Sequence, residues 1–168
     1  TVDLSPLALT DQDYSVASHQ VDGYEYVVNI CTGLNYYDDT CIEGSSVCQR
    51  HKKTAEATNV YGYTGSVKMN WNDPDGSYTY NSTIVMQMTG TACSATSNTT
   101  ESATTIFFIC SNKEFLMLES EQPDKCTVNF LFFTAQACGA PRYTCSGEKC
   151  ITTDDYSGKY GTYDACAA

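Results

Sequence analysis

Ten cysteines in a chain of 168 residues constrain the fold more than any other feature of this sequence. They form no Cys-x-x-Cys pair, and their spacing does not repeat as that of zinc ligands does. Two Asn-x-Ser/Thr sequons, at Asn81 and Asn98, accompany them. Disulfides and N-glycosylation both belong to oxidising compartments. The sequence therefore predicts a secreted, extracellular or lumenal glycoprotein (endosome, lysosome or Golgi), with as many as five disulfides from its ten cysteines.

The remaining composition favours an all-β domain. Apolar residues make up 42% and charged residues 17% of the chain, which is typical of a folded core rather than of disorder. The 13 tyrosines and many β-branched residues favour strands. A net charge of -11 argues against nucleic acid and anionic membranes as partners. No run approaches the roughly 20 apolar residues of a membrane span, so we expect no direct membrane insertion of this segment.

Apolar runs separated by turn residues predict the strands. Such runs are typical of two packed antiparallel sheets in a sandwich or flattened barrel, and no segment has the length and periodicity of a convincing helix. The run at 127–135 is apolar on both faces, which favours a core strand covered on both sides over a surface kept for a partner. The predicted strands are 23–31, one or two strands within 59–71, 82–90, 104–110, 115–119 and 127–135.

Residues 139–168 differ in composition from the rest of the chain. This segment is polar, rich in turn residues and carries three cysteines, so it has too few apolar side chains for a core of its own. We therefore predict a β domain over 1–138, followed by a cysteine-rich tail that packs back on that domain or belongs to a neighbour.

The sequence carries no recognisable catalytic or metal-binding motif. It contains no Gly-x-Ser-x-Gly, His-Glu-x-x-His or glycine-rich phosphate loop, and its two histidines, His19 and His51, lie in polar contexts. The acidic stretches 119–124 and 155–164 lack the spacing of an EF-hand loop. We predict no enzymatic activity, no cofactor and no metal.

Five stretches occur in a characteristic order: YEYVVNIC (24–31), VCQ (47–49), IVMQMTGTAC (84–93), TTIFFIC (104–110) and CTVNFLFFTAQAC (126–138). In this order they resemble the mannose 6-phosphate receptor homology (MRH) domain, and most of all a repeat of the large, cation-independent mannose 6-phosphate receptor. The last stretch is similar to the ending C-T-Y-x-F-x-W-x-T-x-x-A-C of such repeats. DLSPL at 3–7 resembles the opening strand of the family. The resemblance covers about residues 2–138.

The resemblance implies a fold and a set of disulfides. The fold would be a flattened β-barrel of two crossed antiparallel sheets. The seven-residue separation of Cys41 and Cys48 by itself favours a local bond between them. The bonds implied by the family pattern are Cys41–Cys48, Cys93–Cys126 and Cys110–Cys138, of which the last two would tie the 126–138 strand to its neighbours.

The tail raises two alternatives. Residues 150–164 resemble the start of an MRH repeat, C-x-V-x-D-x-x-x-G-x-x-Y-D. The tail is therefore either the start of a next repeat or, in a permuted arrangement, the source of the missing first strand. The permuted arrangement predicts Cys31–Cys150 with Cys145–Cys166, and the alternative pairing is Cys31–Cys145.

Sugar-binding MRH domains hold mannose with a Gln, an Arg, a Glu and a Tyr. The resemblance carries the Gln to Gln49, but the Arg falls on Ser102 and the Tyr on Val128, neither of which replaces the lost group. Glu121 lies close to the position of the family's Glu, but Gln122 and Pro123 stand at the usual distance before the cysteine.

The basic stretch 49–53, QRHKK, which begins at Gln49 and includes Arg50, suggests either contact with an anion or phosphorylated sugar, or a solvated strand end. We expect a non-catalytic, non-lectin module that binds a protein or small ligand at the mouth of the barrel. The alternatives are a lectin with an altered site for mannose or phosphomannosyl glycans, as in receptors that sort lysosomal enzymes, and a carrier of a small apolar ligand. The candidate site residues are Gln49, Arg50, Ser102, Glu121 and Val128.

Overall fold

A computed structural model gives the fold for residues 3–71, 82–92, 101–138, 142–146 and 149–153. The predicted glycosylation sites Asn81 and Asn98, and the cysteines Cys93 and Cys166, lie outside these residues. None of the helices among the described residues is long and apolar enough to span a bilayer.

The described chain is built from strands and short 3-10 turns, as the composition predicts. The first sheet contains β1 (Tyr14–Ala17), β2 (Tyr24–Val28), β3 (Ser45–His51) and β4 (Ala57–Tyr63). The second contains β5 (Lys68–Trp71), β6 (Ser82–Ala92), β7 (Glu101–Cys110), β8 (Phe115–Gln122) and β9 (Thr127–Thr134). A separate hairpin in the tail pairs β10 (Arg142–Ser146) with β11 (Lys149–Thr153).

The two sheets differ in topology. The first is an antiparallel meander in the order β1-β2-β3-β4. The second has the order β5-β6-β7-β9-β8, so β9 lies between β7 and β8. Because β8 occupies the edge and β9 returns beside it, β9 runs antiparallel to β8 but parallel to β7. The all-β, two-sheet prediction is confirmed, with this one parallel pair inside an otherwise antiparallel sheet.

Strand β9 supplies the centre of the core. Val128, Phe130 and Phe132 are fully buried and point at the first sheet, where the rings of Phe130 and Tyr26 lie 5.7 Å apart. On the outer face Leu131 is buried, whereas Phe133 is half-buried. The prediction of a buried strand is therefore confirmed, and its far side is only partly covered.

Two predicted disulfides are confirmed. Cys41 is bonded to Cys48 and Cys110 to Cys138, and the second bond joins the end of β7 to the 3-10 turn that follows β9. Cys126 is also disulfide-bonded; its predicted partner, Cys93, lies outside the described residues, so that pairing stays a prediction.

Cys31 is a free cysteine in the structure. The pairings predicted for the tail are Cys31–Cys150 with Cys145–Cys166, or Cys31–Cys145. Among the tail cysteines only the backbone of β10 and β11 is described, where Cys145 and Cys150 are partners in the ladder. The tail pairing, and with it the division into 1–138 and 139–168, stays a prediction.

Hydroxyl groups on β7 join the two sheets along one side. Ser102 donates a hydrogen bond to the carbonyl of Val60 at 2.6 Å, and Thr104 donates to the carbonyl of Tyr61 at 3.0 Å. Because β4 is the edge strand of the first sheet, these carbonyls have no strand on their outer side. The buried hydroxyls satisfy them and so allow the two sheets to meet without unpaired backbone groups.

The start of the chain differs from the family pattern. The stretch 3–7 resembles an opening strand, but Ser5–Leu7 forms a 3-10 helix instead. Pro6 lies in its first turn, where its missing N–H is not needed, and a proline cannot donate to a sheet ladder. Leu4 and Leu7 from this turn are buried in the core.

Replacing Gly90 on β6 by alanine is expected to destabilise the domain severely. A methyl group at Gly90 would lie 2.0 Å from the carbonyl oxygen of Val60 and 2.6 Å from the Ser102 hydroxyl. Since backbone must move, we expect the free energy of unfolding to fall by about 3 kcal/mol or more in denaturant titration. Gly65→Ala is the control, because nothing lies within 4 Å of its added methyl group. Equal stability of the two variants would contradict this account.

Candidate functional site

The end of the sheets at which β3 ends and β7 and β9 begin is called the mouth. Four of the candidate residues, Gln49, Ser102, Glu121 and Val128, lie on the strands at this end, and their role as a binding site stays a prediction. Tyr26 on β2 joins two of them, since Gln49 Nε2 donates to its hydroxyl at 3.3 Å and that hydroxyl donates to Glu121 Oε2 at 2.8 Å. Nothing in the sequence distinguishes Tyr26 from the other aromatic residues of the core strands.

The Glu121 carboxylate is buried, with 4% of its surface exposed, and is surrounded by donors from its own chain. The backbone N–H groups of His19 and Gln20 donate to Oε1 at 2.6 Å and 2.5 Å. The Ser18 hydroxyl lies 3.0 Å and 2.9 Å from the two carboxylate oxygens, and Tyr26 supplies the remaining bond. This many donors fill the acceptor capacity of a carboxylate.

Electrostatics keep this carboxylate ionised. Burial by itself raises the pKa of Glu121, but the hydrogen bonds from Gln20, Tyr26, Ser18 and His19 outweigh burial and hold the pKa below its ordinary value of 4.5. The group is therefore a fixed negative charge at neutral pH, stabilised by these hydrogen-bond donors.

The donors come from the turn between β1 and β2, residues 18–23. The Ser18 hydroxyl accepts a bond from the N–H of Val21 at 3.0 Å, and Gly23 closes the turn with a positive φ of 81°. The Gln20 side chain also donates to the backbone carbonyl of Glu121 at 2.7 Å. The turn is thus fixed on the end of β8 by both the side chain and the backbone of Glu121.

The positions that match the family's Arg and Tyr are structural. Ser102 is fully buried, and its hydroxyl lies 2.6 Å from the carbonyl of Val60 and 3.0 Å from that of Thr91. Val128 is fully buried in the apolar core. Neither side chain reaches the surface of the mouth.

Arg50 lies apart from the other four candidates. Successive residues of a strand face opposite sides, so Gln49 faces Tyr26 and the core while Arg50 pairs with Glu25 on the outer face. Its Nε donates to Glu25 Oε1 at 2.8 Å, and its guanidinium lies 4.9 Å from the centre of the Tyr36 ring. Its contacts with Glu25 and Tyr36 are both within the chain. They favour the interpretation of the basic stretch 49–53 as a strand end rather than as an anion-binding site.

Among the four candidates at the mouth, Gln49 is the one that is partly exposed to solvent. It is half-buried, and its Oε1 accepts a hydrogen bond from the hydroxyl of exposed Thr58 at 3.1 Å. Thr58, Gln49, Tyr26 and Glu121 therefore form one chain of hydrogen bonds that runs from the surface into the core.

Glu121→Gln is expected to lower the free energy of unfolding by about 3 kcal/mol, measured by chemical denaturation at pH 7. The amide cannot accept from both backbone N–H groups and the Tyr26 hydroxyl as a carboxylate does, because its NH2 group faces one set of donors. Glu25→Gln is the control, since its bond to Arg50 is partly exposed and is expected to contribute less than about 1 kcal/mol. Equal losses in the two variants would refute the central role of Glu121.

We also expect the stability difference between the natural chain and Glu121→Gln to depend on pH. Because the folded pKa of Glu121 is lowered, its stabilisation is fully present above the unfolded value of 4.5 and is lost as the pH falls through the folded pKa. The stability difference between the natural chain and Glu121→Gln should therefore be constant from pH 7 to about 5 and narrow below the unfolded pKa. Thermal unfolding across that pH series measures it; a constant difference down to pH 3 would contradict the lowered pKa.

The chain was compared with family models, curated proteins and solved structures, and only the solved structures gave matches. No family model matches the chain, and no curated protein matches it in sequence. Among solved structures, domain 11 of chicken IGF2R has a TM-score of 0.58 and 16% identity, covering 82% of this chain and 83% of that one. Domain 11 of the echidna M6P/IGF2R receptor has a TM-score of 0.53 and 21% identity, covering 82% and 86%. The chain has the MRH-like fold of a repeat of that receptor.

Proposed function

We propose that the chain is a non-catalytic binding module of the MRH type that binds a protein and not mannose. The observation that carries this proposal is the Glu121 carboxylate, whose acceptor capacity is filled by the β1–β2 turn and Tyr26. A secreted or lumenal location is part of the proposal and is supported by the disulfides Cys41–Cys48 and Cys110–Cys138.

Mannose recognition requires polar side chains that are free to bond to several hydroxyls at once. Of the four positions that match the family's sugar ligands, only Gln49 retains a polar group near the surface. A sugar at the mouth would have to displace the bonds of Glu121 and leave buried groups unpaired, which costs more than a hydroxyl contact returns. These contacts support a non-lectin function.

A protein partner fits the surface that remains. Gln20 and Thr58 are exposed, and they bond to Glu121 and Gln49 respectively. Both offer further donors and acceptors to a partner at the surface of the mouth. Protein interfaces use such polar rims, whereas a monosaccharide needs a concave pocket. The net charge of -11 favours a basic partner. One of the similar solved domains belongs to a receptor, the echidna M6P/IGF2R receptor, and a binding role is the part of our proposal that this likeness in fold supports.

The first test is a glycan array that includes mannose and mannose 6-phosphate glycans, probed with the intact oxidised chain. We expect no binding, and no change in Gln49→Ala, because the carboxylate and the two replaced positions contribute nothing to a sugar site. A sugar-binding MRH repeat on the same array is the positive control. Mannose binding that Gln49→Ala abolishes would overturn the non-lectin proposal.

The second test concerns the protein partner. The chain is screened against an array of secreted and cell-surface proteins, together with Thr58→Arg at the mouth and Asn112→Arg, an equally exposed position in the β7–β8 turn. We expect binding that Thr58→Arg reduces at least tenfold and Asn112→Arg leaves unchanged, because a new positive charge at the mouth repels a basic partner. Binding insensitive to Thr58→Arg, or none to any protein, would count against a protein-binding mouth.

A further inference from the structure

A cavity of about 380 Å³ lies between the two sheets, away from the mouth. It is bounded by the start of the chain, the start of β3, the segment after β4 and the middle of β6. None of the five candidate residues of the mouth lines it. We call it the methionine cavity. Its apolar wall is formed by Leu4, Val67, Met69, Met86 and Met88.

Three of the four methionines of the chain line this cavity. Met86 and Met88 are buried, whereas Met69 is 45% exposed and lies where the cavity meets solvent. Methionine is unbranched and polarisable, and it makes favourable contacts with aromatic rings, so a wall of methionines adapts to the shape of a guest. Because the lining is mostly apolar and opens to solvent at Met69, an apolar guest gains by removing that surface from water.

The polar groups at the rim are already engaged. Ser46 donates its hydroxyl hydrogen to the carbonyl of Thr32 at 3.0 Å, and Thr64 donates to the carbonyl of Gly44 at 3.2 Å. Asp3 and Ser5 also line the rim, where the Asp3 carboxylate accepts from the N–H of Ser5 at 2.9 Å. Hydrogen bonds from Ser5 lower the pKa of Asp3, so the rim is negative at neutral pH.

We propose that the methionine cavity binds a small aromatic molecule of one or two rings that is neutral or cationic. Ligand pockets span roughly 300–1,000 Å³, and a cavity of roughly 150 Å³ is enough for benzene, so this volume suits two rings. The negative rim and the acidic chain disfavour an anionic head group. The site is independent of the protein-binding mouth and goes beyond the function proposed for it.

The ligand is held without a covalent bond. Cys31 lies at the rim. The disulfide predicted for it would leave no thiol there, and in the free form seen in the structure burial and the nearby Asp3 carboxylate raise the pKa of the thiol. A thiol that stays protonated at neutral pH is a poor nucleophile. Apolar contact and sulfur–aromatic contact with the methionines are therefore the binding forces.

The test uses the whole chain with carbon-13-labelled methionine methyl groups, titrated with 1-naphthol, a neutral two-ring molecule, and followed by NMR. The anionic analogue naphthalene-1-sulfonate has the same two rings, with a sulfonate in place of the hydroxyl. We expect saturable shifts of the Met69, Met86 and Met88 signals and none of Met117, which lies 42% exposed on β8 outside the cavity. The sulfonate should bind at least tenfold more weakly.

Two matched variants locate the site. Val67→Phe fills the cavity and should weaken binding of the neutral probe at least tenfold, whereas Val16→Phe, at another partly buried valine packed on the same core, should leave it unchanged. If Val67→Phe fails to fold, the shifts of the methionine signals in the natural chain still show whether the probe binds in the cavity. No shift, shifts confined to Met117, or equal binding by folded Val67→Phe would overturn the proposal.

Discussion

The carboxylate of Glu121 joins the two sheets at the mouth by holding the β1–β2 turn of the first sheet on the β8 edge of the second. On the opposite edge, the hydroxyls of Ser102 and Thr104 bond to the carbonyls of β4. Between these two seams lie the rings of Tyr26 and Phe130. Polar groups therefore align the two sheets at both sides, while the apolar core provides most of the stabilisation. Every buried member of the Glu121 network has a hydrogen-bond partner.

The same bonds explain why the mouth of this chain does not present a sugar site. Position 102 faces Gly90 so closely that a methyl group on Gly90 would lie 2.6 Å from the Ser102 hydroxyl. An arginine at 102 would need space that β6 occupies, and its charge would lie beside the carbonyl of Val60 in a buried setting. Serine at 102 and glycine at 90 thus belong together, as a small-residue contact that brings β4, β6 and β7 close to one another.

Strands β2 and β4–β9 and the local Cys41–Cys48 bond could be predicted because their signals are local: apolar runs, turn residues and a short separation between cysteines. Strands β1 and β3 were missed, because neither is an apolar run. The Glu121 network could not, because two of its donors are backbone N–H groups about one hundred residues away, and any sequence in that turn would supply them. The insertion of β9 between β7 and β8 was equally hidden, since two apolar faces indicate burial but not which strands lie beside it. Pro6 was the one local signal that contradicted the strand suggested by resemblance at 3–7.

The two ends of the molecule differ in how firmly their side chains are held. At the mouth, charge-assisted bonds and packed rings fix Glu121 and Tyr26 in one arrangement. At the other end, β5 is a four-residue edge strand, and the wall beside it is made of methionines with few directional contacts. Local opening has its lowest free energy where a short edge strand has few partners, so the region near Met69 is the part of the described fold best suited to admit a guest. The residues that line the cavity take no part in the hydrogen bonds of Glu121, so a rigid mouth and an adaptable cavity can serve separate binding functions.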